Sequence, residues 1–194
     1  GLATKYFGRY CNFVLTGFEE TASYLKGCNI VFTGTPLRNQ FYIDHDPPSW
    51  VPVGKNPLII IMGGSQGSKV INDAIYNLLD FLNDNDFRIV HILGDTLDPK
   101  FSNKKNKNYI PIGFTNEVAA LMQNCDLVIS RAGSGAINEI IKTKSPSILI
   151  PYPNAKNNHQ EKNALILSSI GCSIMIQQNK NLEINLKKNL QRIF

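Results

Sequence analysis

An apolar run, Leu127-Val128-Ile129, passes directly into Ser130-Arg131-Ala132-Gly133-Ser134-Gly135, and a helical pattern starts at once with Glu139 just behind it. No stretch of the chain narrows the choice of fold more. A strand that ends in a tight glycine turn and restarts as a helix leaves the first-turn N–H groups without intrahelical acceptors, pointed at an anion. Glu139 falls near the second turn of that helix, within reach of whatever its terminus holds, and phosphate on the amides with a carboxylate nearby for a sugar diol points to a nucleotide site. The plainer reading of Glu139 alone is a carboxylate stabilised by the helix macrodipole.

From Leu58 onward the pattern is regular. Strand 58–62 leads into Gly63-Gly64-Ser65-Gln66-Gly67-Ser68. A helix is predicted behind it, with Val70, Ile71, Ala74, Ile75, Leu78, Leu79 and Leu82 forming a one-sided stripe of 3.6-residue period. Strands follow at 88–93 and 109–112, separated by a polar loop rich in lysine. Thr115 or Asn116 is placed to cap a helix running to about Asn124. After the 126–139 segment come a strand at 147–150, Pro151-Tyr152-Pro153, a helix at 159–169 stopped by Gly171, a strand at 172–176 and an amphipathic helix at 182–193. Strands alternating with helices at this spacing predict an α/β fold, a parallel sheet with helices on both faces. Ligands of such sheets bind beyond the carboxyl ends of the strands, where both glycine turns lie.

Residues 1–38 read differently. A helix at 2–10 and short strands at 12–16 and 30–32 look like the end of another domain. Residues 39–57 hold four prolines (Pro47, Pro48, Pro52, Pro57) without periodicity and are expected to be a linker. The expected organisation is therefore a remnant of an upstream domain and crossover at 1–38, a linker at 39–57 and one ligand-binding domain at 58–194.

Composition excludes several classes. The longest apolar run, Leu58 to Met62, is strand length, far below the roughly 18 residues of a membrane span. Cys11, Cys28, Cys125 and Cys172 are scattered without a C-x-x-C pair, as expected of reduced cytosolic thiols rather than a zinc site or a disulfide framework. The formal charge of +5 is concentrated partly in Lys100, Lys104, Lys105 and Lys107. That cluster reads as a solvated loop or as an attractor of lipid head groups and phosphates. Gly63-Gly64-Ser65-Gln66-Gly67 has neither the G-x-G-x-x-G spacing of a dinucleotide site nor the G-K-[ST] ending of a P-loop. Asp44-His45-Asp46 and Asp84-Asn85-Asp86 match D-x-D, but neither follows a strand as a metal-diphosphate site requires. No metal and no cofactor are expected.

Four segments together resemble the C-terminal, donor-binding half of the MurG family of UDP-N-acetylglucosamine transferases. They are Thr33-Gly34-Thr35-Pro36-Leu37-Arg38, Gly63 to Ser68, Ser130 to Gly135 with Glu139, and Ile150-Pro151-Tyr152-Pro153 running to His159-Gln160-Glu161-Lys162-Asn163-Ala164. The resemblance spans essentially the whole chain in order. It implies the C-terminal domain of a GT-B glycosyltransferase, a Rossmann-like domain facing a second one across a cleft. It also implies inverting, metal-independent transfer of N-acetylglucosamine from UDP-N-acetylglucosamine to the 4-hydroxyl of undecaprenyl-diphosphate-linked muramoyl-pentapeptide in peptidoglycan synthesis.

The resemblance further implies a role for each matching residue. Glu139 accepts both ribose hydroxyls, and the backbone at Ser134, Gly135 and Ala136 holds the diphosphate. The backbone around Phe114 and Thr115 reads uracil. Gln160, with His159, bonds the sugar hydroxyls, while Arg38 and Ser65 contact the nucleotide from the inner side of the cleft. The general base belongs to the other domain, so no catalytic residue is expected here. The implied location is cytoplasmic, peripheral on the inner face of the cell membrane, with no nucleic-acid partner. Two alternatives stay open: a stand-alone UDP-sugar-binding subunit completed by a separate acceptor-domain chain, and a related GT-B enzyme with another donor.

Overall fold

In the computed structural model, which describes residues 2–95 and 98–194, the chain divides into two units, Gly1–Arg38 and Asn39–Phe194. The first opens with helix α1 (Leu2–Phe7), which tightens into a 3-10 turn at Gly8–Tyr10. Strands β1 (Val14–Thr16) and β2 (Ile30–Phe32) pair in parallel, Val14 opposite Ile30. A second 3-10 segment, Glu19–Tyr24, connects them. Leu15, Val31 and Phe32 remain exposed, so this unit buries little of its own apolar surface.

The second unit is built on six parallel strands: β3 (Leu58–Met62), β4 (Arg88–Ile92), β5 (Tyr109–Ile112), β6 (Leu127–Ser130), β7 (Ser147–Leu149) and β8 (Ser173–Met175). Their order across the sheet is β5-β4-β3-β6-β7-β8. β3 and β6 lie side by side at the centre, Ile60 opposite Val128, and both are buried at every position. Coverage of both faces is why these strands read as unbroken apolar runs instead of alternating ones. The connecting helices are α2 (Lys69–Asn77), α3 (Leu79–Asp84), α4 (Pro99–Ser102), α5 (Val118–Gln123), α6 (Ser134–Thr143) and α7 (His159–Ser168), and α8 (Leu182–Ile193) closes the chain. Ile59 and Ile61 of β3 share one core cluster with Ile71, Ile75, Leu79, Leu82, Leu186 and Leu190, which seats α2, α3 and α8 on that face.

Several local expectations are corrected. The apolar stripe at 70–82 belongs to two helices, because Leu78 leaves the helical region at φ −95°, ψ 0° and its N–H bonds Ile75 O, one residue short of the α spacing. Val70, counted in that stripe, is exposed. Thr115 does not cap α5: its hydroxyl accepts from the Glu117 N–H at 3.0 Å in a local turn, and the helix begins at Val118 without a side-chain cap. The lysine loop contains α4, where the Asp98 carboxylate caps the helix through the Lys100 N–H and Pro99 takes the first position. Lys100 folds onto Asp73 at 2.6 Å, which leaves Lys104, Lys105 and Lys107 as the solvated part of the cluster.

Residues 39–57 are bonded to the second unit. Phe41 and Val51 are buried. Gln123 accepts from the His45 N–H and donates to Ile43 O, Asn124 donates to His45 O, and the Trp50 indole donates to Glu117 at 2.7 Å. The Arg88 side chain donates to Pro52 O and Asn56 O. Proline removed the periodicity a helix or strand would have shown, and these side-chain bonds carry no sequence signature.

Candidate functional site

β3 and β6 are adjacent and parallel, but the chain leaves them in opposite directions, β3 toward β4 and β6 toward β7. The turns that follow them therefore part, and a crevice opens between. A cavity of about 450 Å³ occupies it, lined by residues 62–70, Ser130, Arg131, Gly133, Ala136, Tyr152, Gln160 and Gln178.

The first turn is closed by packing. Gly64 and Gly67 sit at φ +91° and +74°, a region that costs L-residues about 1–2 kcal/mol. The Gly67 N–H donates to Gly64 O at 2.9 Å. A methyl group on Gly63 would collide with the Ser68 amide, and one on Gly67 with the Leu93 carbonyl. Ser68 caps α2 by accepting from Ile71 N–H at 3.4 Å. Behind the turn runs a buried chain of polar groups. Asn72 donates to Leu93 O at 3.1 Å, so its Oδ1 accepts from Nε2–H of His91 at 3.1 Å, and Nδ1 of His91 accepts from the Tyr109 hydroxyl at 3.0 Å. Burial pushes the His91 pKa down to about 3, so the ring is neutral, as that bonding requires. This chain ties the start of α2 to the end of β4.

The second turn is open. Gly133, at φ −65° and ψ 152°, precedes α6 with no side-chain cap. A methyl group on Gly133 or Gly135 would meet nothing within 4 Å. The amides of Ser134, Gly135 and Ala136 start α6 with no intrahelical acceptor, and the first internal bond runs from Ile137 N–H to Gly133 O. The two glycine-rich turns thus differ in physical purpose: one lets backbone pack on backbone, the other keeps side chains away from helix amides.

Arg131 lies between them, 9% exposed. It donates to Ser68 Oγ at 2.7 Å and to the carbonyls of Ile150 and Pro151 at 3.2 and 3.3 Å, with the Tyr152 ring 5.5 Å from the guanidinium. Burial lowers its pKa. Among the described residues no carboxylate pairs with it. A desolvated cation held only by neutral acceptors, beside uncapped helix amides, makes this cavity complementary to an anion.

One face of α7 closes the crevice. Gln160 and Asn163, one turn apart, respectively accept from the Tyr152 N–H at 2.9 Å and donate to Ala132 O at 3.0 Å. That gives the glutamine and asparagine of the H-Q-x-x-N segment their structural purpose in this chain.

Of the sequence-predicted residues, Ser65, Ala136 and Gln160 line the cavity. Ser134 and Gly135 lie between two of its lining residues, and Glu139 follows on α6, half-buried. Phe114 and Thr115 follow the edge strand β5 at the same end of the sheet, Phe114 exposed. His159 is exposed, and its Nδ1–H donates to Lys156 O at 2.8 Å. It does not line the cavity, nor do Phe114, Thr115 and Glu139. Arg38 is the last residue of the first unit. Sequence reasoning passed over Arg131 as a ligand group, and also Tyr152, Asn163 and Gln178. An arginine wedged between a buried strand and a glycine was the one available signal; the other three had none.

Among the described residues no cluster of three or more His, Cys, Asp or Glu side chains is arranged to hold a metal. Asp44 and His45 line a separate cavity of about 380 Å³ beside Lys142 and Lys144, two cations that oppose a divalent ion there.

Residues 58–194 match the glycosyltransferase family 28 C-terminal domain. A protein of Prochlorococcus marinus strain MIT 9312 named UDP-N-acetylglucosamine–N-acetylmuramyl-(pentapeptide) pyrophosphoryl-undecaprenol N-acetylglucosamine transferase is 59% identical over 194 residues, 100% of this chain and 53% of its own length. A protein of the same name from strain NATL2A is 40% identical over 197 residues, 98% of this chain and 56% of its own. The chain spans about half the length of the curated relatives it matches. Among solved structures, MurG of Acinetobacter baumannii superposes with a TM-score of 0.73 at 22% identity, over 100% of this chain and 55% of that one. The glycotransferase of kitacinnamycin superposes at 0.66 and 17% identity, over 85% and 41%. At these identities the superpositions speak for the fold.

Proposed function

The chain belongs to the glycosyltransferase family 28 C-terminal domain family, and from that premise we propose that it is the donor-binding half of an inverting, metal-independent N-acetylglucosamine transferase of peptidoglycan synthesis. The observation that carries this reading is the cavity between β3 and β6, lined both by Arg131, which has no carboxylate partner among the described residues, and by Gly133 and Ala136 at the open start of α6. A UDP-sugar supplies a diphosphate complementary to such a site. The α6 amides and Arg131 neutralise its charge, and Glu139 grips the ribose diol. The backbone at Phe114 and Thr115 takes uracil, and Gln160, with His159, takes the sugar hydroxyls. Arg38 is assigned to the nucleotide by resemblance alone.

In the reaction, the 4-hydroxyl oxygen of the muramoyl acceptor bonds to the anomeric carbon, its proton passes to a base on the acceptor domain, and the bond to the β-phosphate breaks with its electron pair leaving on UDP. Charge grows on the departing diphosphate, where preorganised donors stabilise the transition state most. The lipid-linked acceptor places the whole enzyme at the cytoplasmic face of the membrane as a peripheral protein. Among the described residues no helix is long and apolar enough to cross one.

Calorimetric titration of the chain with UDP-N-acetylglucosamine, UDP-glucose and UDP-galactose tests the reading without needing the acceptor. Saturable binding with preference for the first is expected, and no binding of any UDP-sugar refutes it. The subunit alternative shares this site and differs only in which chain carries the acceptor domain. An in-frame glycine-rich domain in the genomic sequence immediately upstream would eliminate it.

A further inference from the structure

Buried polar atoms without a partner are few in folded proteins, and each calls for a physical reason. Among the described residues they are Thr16 Oγ1, Ser147 Oγ, Ser173 Oγ and Gln178 Oε1. Three are hydroxyls away from the cavity walls; only Gln178 lines the cavity. It follows β8 at the carboxyl end of the sheet, three residues past Met175, on the side where Tyr152 and Gln160 close the crevice.

The groups around this cavity assigned to the diphosphate are donors, the guanidinium of Arg131 and the first-turn amides of α6, while Ser65, Gln66, Ser68 and Ser130 add side chains that can donate or accept. Gln160 spends its carboxamide oxygen on the Tyr152 N–H, which leaves its Nε2 end to donate. Gln178 differs from all of these, since it holds a buried carbonyl oxygen, an acceptor, without a partner. Phosphate oxygens are acceptors too, so a diphosphate cannot satisfy it. On a UDP-sugar the donors are uracil N3–H, the hydroxyls and, in N-acetylhexosamines, the acetamido N–H. Uracil is assigned to the β5 end and the ribose to α6, so the transferred sugar is the part left to face β8.

We propose that Gln178 is a specificity residue for the sugar of the donor, its Oε1 accepting a hydrogen bond from a sugar hydroxyl or acetamido N–H while Gln160 donates to a neighbouring oxygen. The inference rests on the donor-site reading above. Gln178 already lines the cavity, and the terminal torsion of a glutamine is broad and roughly two-fold, so its carboxamide can turn its oxygen toward a ligand without a change of backbone. In the free protein that oxygen is an unmet acceptor, and the sugar relieves its desolvation penalty. A ligand group that supplies the missing donor gains more than the same contact made to a solvated partner.

The test is calorimetric titration of the wild-type chain, Gln178→Met and Gln178→Ala with UDP and with UDP-N-acetylglucosamine, alongside thermal melting of the free proteins. Methionine keeps the volume and removes the orphan acceptor, so Gln178→Met melts no lower than wild type. Its affinity for UDP stays unchanged while that for UDP-N-acetylglucosamine falls about tenfold, the loss of one buried hydrogen bond. Gln178→Ala shows the same selective loss should the methionine variant fail to fold. A merely structural glutamine would lower the melting temperature and weaken both ligands equally, and that result overturns the proposal. Unchanged affinity for UDP-N-acetylglucosamine in both variants also overturns it. Wild-type protein that binds neither ligand overturns the donor-site reading and this inference with it, whereas UDP binding with unaltered sugar discrimination overturns the inference alone.

Discussion

Replacing one glycine in each turn should have opposite consequences. Gly67 stands at φ +74° with its missing Cβ aimed at the Leu93 carbonyl. Alanine there incurs about 1–2 kcal/mol for the left-handed backbone and a further roughly 1–3 kcal/mol for pushing β4 and α2 apart. Loss of contact between those elements also strains the Asn72–Leu93 bond. A total of about 2–5 kcal/mol is a large share of the roughly 5–15 kcal/mol that holds an ordinary domain together. Gly135, by contrast, is in the first turn of α6 with open space where its Cβ would lie. Alanine there reduces unfolded-state entropy and changes stability by between zero and about +1 kcal/mol. Urea unfolding followed by far-UV circular dichroism at fixed pH reads both, with the transition slope checked for constancy. Gly67→Ala should lower the midpoint strongly and Gly135→Ala should leave it level or raise it. In Gly135→Ala the new methyl stands beside the amides assigned to the diphosphate, so its UDP affinity should drop although its fold does not. Equal stability losses in the two variants, or undiminished UDP binding by Gly135→Ala, would refute the division between a closed turn and an open one.

Glu139→Ala should weaken UDP binding by about 1–3 kcal/mol, as expected for a charge-assisted partner of the ribose; unchanged affinity in calorimetry would remove Glu139 from the site. Stability should depend on His91 in mildly acidic solution. Unfolded His91 takes a proton near pH 6.5 while the buried ring resists until about pH 3, so the stabilisation is complete above pH 6.5 and declines as pH falls from there toward 3. Between pH 7 and pH 5 that amounts to about 2 kcal/mol. Urea midpoints of His91→Asn should be lower at both pH values but lack that slope, and a slope equal to wild type would contradict the assignment. Chelators should leave donor binding intact; a loss restored by Mn²⁺ would bring the D-x-D segments back into consideration.

Much of this fold was legible before any coordinates. Leu58–Met62 and Leu127–Ile129 are apolar at successive positions because strands buried on both faces need no polar side, and their alternation with amphipathic helices predicts a parallel sheet under helices. The turns after them carry glycine because a chain leaving such a strand must reverse within a few residues. The position of a site at those turns follows from the same two facts. What the sequence could not separate was the purpose of the two turns, since glycine is written identically whether backbone packs on it or space is kept beside it. Only the placement of Leu93 against Gly67, and of nothing against Gly133 and Gly135, decided that. Tertiary structure likewise decided the state of Arg131, whose bond to Ser68 spans 63 residues, and of His91, whose partners come from α2 and β5. Local pattern records which faces are apolar and where the chain turns; it holds no record of which distant polar groups will share a low-dielectric space, where burial shifts the protonation equilibria and the partners fix the bonding.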